Sequence, residues 1–146
     1  MLFFQLGNLS CYAFQLHLQV VQCGLLWGEV AGDDERYRRQ LKAAAAPLIA
    51  KWELILGVKV ERFFVQRMKT RWGSSNPRLG AIRLNTELAK KSPECLEYIV
   101  VHEKAHLLEP THNARFAAQL DKSLPNWQLL RAELNRAPLG HVTWDY

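Results

Sequence analysis

Two histidines four positions apart, with a glutamate directly after the first, are the residues of this chain best suited to chemistry: His102-Glu103-Lys104-Ala105-His106. On a helix, residues at i and i+4 share a face, so both imidazoles leave the same side and can reach one metal ion. Glu103 projects about 100° away from His102, toward a water on that ion rather than into the coordination sphere. A third histidine, His112, follows after five intervening residues. Three protein ligands with one open position are the arrangement of catalytic rather than structural zinc. The chemistry implied is attack of a Zn2+-activated water on a carbonyl, with His102, His106 and His112 as ligands and Glu103 as general base.

The elements that must position these groups are readable around them. Tyr98, Ile99, Val100, Val101, Leu107 and Leu108 make the motif segment mostly apolar, so its helix is expected to be buried. Unpartnered polar groups on a buried helix are costly, and a metal removes that cost. Ser92-Pro93-Glu94 is a helix start, and Pro110 excludes Glu109 from the helical region, which sets an end near Leu108 or Glu109. Thr111 then caps a further helix to about Leu120, which returns His112 toward the metal. The step from His106 to His112 is that of metzincins, but both methionines, Met1 and Met68, precede the motif, so the methionine turn of that group is missing. Glu133, on a helix opened by Pro125 with Trp127, Leu130 and Leu134 inward, is the rival third ligand. Its plainer reading is an ion pair with Arg136. His141, in the Leu139–Tyr146 tail, is a weaker candidate.

Upstream, Asp33 or Asp34 caps a long helix ending at Leu56, with Gly57 as its stop. Tyr37, Leu41, Ala44, Leu48, Trp52 and Ile55 form its apolar stripe, and Pro47 predicts a kink or a break. Val58 to Gln66 reads as a strand, Asn76-Pro77-Arg78-Leu79-Gly80 as a turn, and Ala81 to Asn85 as a second strand able to pair with the first as a hairpin. Strands followed by helices give an α+β class.

Composition sets the frame. A chain of 146 residues is expected to hold one main domain, here 33–146, with 1–32 as an atypical N-terminal segment. Met1 to Gly28 contains no Asp, Glu, Lys or Arg. Scattered Gln, Asn and Ser and the lack of a basic start argue against a signal peptide or a spanning helix, so no membrane partner is expected. Gln15 to Val20 (QLHLQV) alternates like a half-buried strand. Three cysteines without a C-x-x-C pair fit a reducing cytoplasm. The net charge of +5 is mildly basic, but no run of five Lys/Arg occurs, so the cations read as solvated surface.

The motifs Arg67 to Ser75 (RMKTRWGSS), Ala81 to Leu88 (AIRLNTEL), Tyr98 to His106 (YIVVHEKAH) and His112 to Phe116 (HNARF) together resemble the YgjP-like metallopeptidases. These are minigluzincin-type zincins related to the SprT-like and WLM proteases. The resemblance covers roughly residues 41–136. It implies a minimal zincin core: a short antiparallel sheet, a long N-terminal helix, the HExxH helix and C-terminal helices. The ligands it implies are His102, His106 and His112, with Glu103 as base and a peptide or protein as substrate. Three departures stand out. Ser75 occupies a position commonly held by cysteine in the family. Lys104 replaces a usually apolar residue and points about 180° from the two histidines, free to snorkel to solvent. The family's longer β-rich N-terminal region has no counterpart in Met1 to Gly32, so the chain reads as truncated or as starting unusually.

The expected activity is therefore zinc-dependent peptide hydrolysis. Oxyanion donors are sought among Tyr98, Arg83, His141 and Tyr146, and strand Ala81–Asn85 is expected to be a sheet edge that pairs with an extended peptide. The alternative function is a non-catalytic nucleic-acid-associated module with a structural zinc. It rests on Arg62, Arg67, Lys69, Arg71, Trp72, Arg78 and Arg83 around two strands; against it, Trp72 reads as core and the arginines as solvated.

Overall fold

The computed structural model describes residues 34–136. The expectations for the QLHLQV segment, His141 and the Leu139–Tyr146 tail lie outside the described residues. Helix α1 spans Asp34–Leu56 and is followed by strands β1 (Arg62–Gln66), β2 (Gly73–Asn76) and β3 (Ala81–Asn85) and a 3-10 turn (Thr86–Lys90). Helices α2 (Pro93–Leu108), α3 (Ala114–Ser123) and α4 (Trp127–Arg136) complete the described chain, an α+β arrangement.

The acidic residues Asp34 and Glu35 open α1 at its positive end, and Gly57 closes it in the left-handed region (φ 66°) with its N–H on the Glu53 carbonyl. Pro47 sits inside α1 without dividing it into two helices. The buried stripe is Leu41, Ala45, Ile49 and Trp52, and Ile55 is exposed. The real stripe is thus turned by about one residue from the expected one over its middle, because the core contacts a rotated sector of the helix.

The sheet order is β1-β3-β2. β1 runs parallel to β3, and β2 pairs antiparallel with β3 across the Pro77–Gly80 turn. The expected hairpin between the first strand and Ala81–Asn85 is therefore corrected: β2 lies between them in sequence and takes the hairpin role, so the sheet is mixed. β3 is also central rather than an edge, which removes it as a peptide-pairing strand. The Asn76 side-chain carbonyl accepts from the backbone of Arg78 and Leu79 and shapes the turn.

One face of the sheet, carrying Val65, Ile82 and Leu84, joins a core with Trp52, Leu88, Ile99, Leu120 and Leu134. Trp72 belongs to this core at 1% exposure, as expected, with the Lys91 ammonium 5.3 Å above its ring. Asn85 is fully buried and satisfied. Its Nδ2 donates to the carbonyls of Met68 and Arg71, and its Oδ1 accepts from the backbone of Met68 and Glu87. No apolar residue could hold the 67–71 loop against the end of β3 in this way.

Lys104 departs furthest from expectation. It does not snorkel but is completely buried, with its Nζ donating to the Val58 carbonyl at 3.0 Å and the Ile49 carbonyl at 3.4 Å. α1 has no basic residue in its last turn, so Lys104, from a different helix, brings a cation to that negative end. Burial pushes its pKa down, while Glu53 nearby favours the charged form. Glu53 in turn accepts the Val60 N–H. Lys104 thus ties the HExxH helix to the α1–β1 junction, on the side opposite the histidines.

Candidate metal centre

Helix α2 begins at Pro93 and ends at Leu108, where Glu109 leaves the helical region (φ −132°, ψ 98°). Pro110 lacks an N–H and restricts Glu109, as the sequence predicts. The chain turns through Thr111 and His112 to Asn113, which caps α3 by accepting the Phe116 N–H on its side chain at 3.0 Å. Asn113, not Thr111, is therefore the capping residue. Its Nδ2 also donates to Glu109 Oε1 (2.7 Å) and Thr111 Oγ1 (3.1 Å), which fastens the turn that carries His112. His112 directly precedes Asn113, whose backbone is extended, and its ring lies back against the α2 histidines.

The three Nε2 atoms converge. His102 and His106 are 3.1 Å apart, His102 and His112 3.3 Å, and His106 and His112 2.8 Å. Tetrahedral ligation at about 2.0–2.1 Å requires N···N separations of about 3.3 Å, so the set is close to that spacing. The Nδ1 atoms of His102 and His106 have partners of their own. His106 Nδ1 donates to the Glu109 carbonyl at 3.2 Å, and the Tyr98 hydroxyl lies 3.4 Å from His102 Nδ1. With Nδ1 protonated, the Nε2 atoms of His102 and His106 present lone pairs to the point that His112 Nε2 also faces, an arrangement that fits a cation. Phe116 floors the cluster, stacked on His106 with centroids 4.4 Å apart and edge-on to His102 at 4.9 Å. His102 is held neutral, its pKa pushed down to about 2 by burial first and then by His106, His112 and Arg131.

Glu103 lies beside the histidines against β2 and is fully buried. Burial raises its pKa to about 8, opposed by a hydrogen bond with the Ser75 side chain and by the Arg71 charge. Gly73 lets this carboxylate fit: a Cβ there would stand 2.6 Å from Glu103 Oε1, 2.8 Å from its Cγ and 2.9 Å from Ile99 Cγ2. Sequence reasoning did not find Gly73 or Ser75 as site residues. The segment GSSN carries no strand signal, and only the fold shows that it abuts α2.

Glu133 is not brought to the cluster. It lies against the buried Cys95 thiol near the start of α2, where its charge and hydrogen bond add to burial in raising the thiol pKa. Cys95 is seven residues, or about 10 Å of helix, before His102. Tyr98 is fully buried with its hydroxyl toward His102, and Arg83 is exposed on β3, so neither faces the open side of the cluster as an oxyanion donor would. Among the described residues, His102, His106 and His112 are the group able to hold a metal ion.

These groups give the metal-free protein a distinctive pH dependence. His102 has a folded pKa far below its unfolded value near 6.5, so its contribution is complete above that pH and is lost as pH falls, by about 1.4 kcal/mol per unit. Glu103 has the opposite sign: its contribution is complete below about 4.5 and is lost as pH rises toward 8. Between about 4.5 and 6.5 the slope of Glu103 opposes those of His102 and of His106, whose pKa burial also lowers, and from 6.5 to 8 the histidine slopes are absent while that of Glu103 remains. Thermal unfolding of the metal-free protein should therefore show stability falling from pH 6.5 to 8. In Glu103→Gln that fall should vanish, and the decline below pH 6.5 should steepen. An unchanged alkaline slope in the variant would contradict the buried position of Glu103.

A family model described as the YgjP-like metallopeptidase domain matches residues 32–137. No curated protein matches the chain. Among the solved structures that share its fold are two metallopeptidase zymogens. The crystal structure of the metallopeptidase zymogen abylysin of Pyrococcus abyssi has 22% identity and a TM-score of 0.57, covering 62% of this chain and 90% of its own. That of the metallopeptidase zymogen jannalysin of Methanocaldococcus jannaschii has 19% identity and a TM-score of 0.54, covering 62% of this chain and 92% of its own. No helix among the described residues is long and apolar enough to cross a membrane. With most of its length matched to the family model and a histidine cluster suited to a divalent metal, the chain belongs to the YgjP-like metallopeptidases.

Proposed function

We propose that the protein is a zinc-dependent peptidase in which His102, His106 and His112 hold the metal and Glu103 is the general base. The observation that carries this reading is the convergence of three Nε2 lone pairs beside a buried carboxylate on the same helix. Three imidazoles are the donor set of catalytic zinc, and among the described residues no fourth His, Cys, Asp or Glu joins them, which favours catalysis over a closed structural site. Bound Zn2+ supplies Lewis acidity and lowers the pKa of its water to about 7.

The chain's own residues do the rest. Glu103, raised toward neutrality by burial, accepts the water proton and later delivers it to the leaving amine. The positive charge of a bound ion would draw its pKa back down toward the working range. Ser75 and Gly73 hold the carboxylate in place from β2. Among the described residues β2 is an edge strand of the sheet, packed beside α2, the kind of strand to which an extended peptide can add. An unstructured peptide library is the direct assay. Cleavage should disappear on chelation and return with added Zn2+. A fully zinc-loaded protein that cleaves nothing in such a library would contradict the reading.

A further inference from the structure

Between Arg62 and Thr86 the chain carries six cations and no carboxylate: Arg62, Arg67, Lys69, Arg71, Arg78 and Arg83. Along the sequence they are dispersed, but the fold gathers them. Strand alternation and pairing put Arg62, Phe64 and Gln66 of β1, Arg83 of β3 and Ser74 of β2 on the face of the sheet away from the helices. Asn85 shares that face at one end of β3, and its amide draws the 67–71 loop over it, bringing Arg67, Lys69 and Arg71 to that end. The β2–β3 turn brings Arg78 to the opposite end, the end at which β1 starts with Arg62. All six are exposed, and among the described residues none forms an ion pair with a carboxylate. The acidic residues that flank the segment are engaged elsewhere, Glu61 with Lys59 and Glu87 with Lys90.

The stripe runs along a five-residue strand, about 16 Å long. In its middle stands Phe64, 44% exposed and directly opposite Arg83, which is itself opposite Ser74. We infer that this outer sheet face binds single-stranded nucleic acid, with the cations along the phosphates and a base stacked on Phe64. An acidic polypeptide would satisfy the cations but makes no use of an exposed aromatic ring at their centre. A flat sheet face with an aromatic platform between cations is suited to unpaired bases. Arg62, Phe64 and Arg83 lie on the sheet face opposite the one that packs against Glu103, with Arg71, whose charge reaches Glu103, at the rim, so the inference stands apart from the peptidase reading.

The test is fluorescence anisotropy of the full chain with labelled twelve-nucleotide oligothymidylate and oligouridylate across a salt series. If about four phosphates are neutralised, the log–log salt slope is about −3, and affinity falls about fifty-fold from 50 to 200 mM salt. Arg62→Glu combined with Arg83→Glu should weaken binding at least about ten-fold and flatten the slope. Phe64→Ala should weaken it about ten-fold with the slope unchanged, and Phe64→Trp should restore it. Glu103→Gln should bind like the unaltered protein, which separates this surface from catalysis. Three outcomes would overturn the inference: no binding at low salt, binding indifferent to these substitutions, or an oligoglutamate of equal charge binding as tightly and ignoring Phe64.

Discussion

Replacing Glu103 by glutamine is expected to lower peptide hydrolysis by a factor of about 10²–10⁴ while leaving metal content unchanged, because the amide keeps the shape and loses the base. The position of the side chain explains why both halves of this expectation hold together. Glu103 leaves α2 at an angle from the three histidines and lies against Gly73 and Ser75, so the substitution leaves the proposed metal centre untouched. At neutral pH the metal-free protein holds this carboxyl largely protonated, which an amide imitates closely, so the fold should not suffer. Steady-state cleavage of a peptide found in the library, measured beside zinc content, checks the pair of expectations. Hydrolysis surviving at near the original rate would remove Glu103 from the mechanism.

Gly73→Ala is expected to damage activity from outside the motif. A methyl group at this position meets Glu103 Oε1 at 2.6 Å and, less avoidably, Glu103 Cγ at 2.8 Å and Ile99 Cγ2 at 2.9 Å. The Oε1 end can swing aside. The Cγ atom and the Ile99 methyl are fixed by the backbone of α2 and by the core around Ile99, which is fully buried. β2 must then move away from α2 or the base must change rotamer. Overpacking of this kind costs about 1–3 kcal/mol. A displacement of the base by about 1 Å lowers turnover by about 10²-fold. Thermal unfolding should show the stability loss and kcat the larger part of the kinetic loss, since the three histidines stay in place. A variant with normal stability and normal kcat would mean that β2 does not press on Glu103 as described.

The positions of these residues also show what the sequence could and could not convey. The start and end of α2 were legible because Ser92-Pro93-Glu94 and Pro110 act through local backbone chemistry. The histidine spacing was legible because helical geometry alone decides which side chains share a face. The end of α1 was legible for the same local reason, through Gly57, and Asp34 falls in its first turn rather than at the cap. β2 was not, since Gly73-Ser74-Ser75-Asn76 has little strand preference and is extended by its pairing with β3. The parallel pairing of β1 with β3 depends on that missed strand. Lys104 was read as a surface group because a lone lysine has no local signal for burial, and the carbonyls it meets belong to Ile49 and Val58, far away in sequence. Asn113 displaced Thr111 as the cap because its longer side chain serves Phe116, Thr111 and Glu109 at once.

The central claim, a three-histidine metal centre with His112 as the third ligand, is tested most directly by the zinc content of the purified protein beside His112→Ala. The account predicts one zinc per chain, with affinity in the variant greatly reduced because one of three donors is gone. Zinc retained at full affinity in His112→Ala, or no zinc taken up by the unaltered protein when it is supplied, would contradict it.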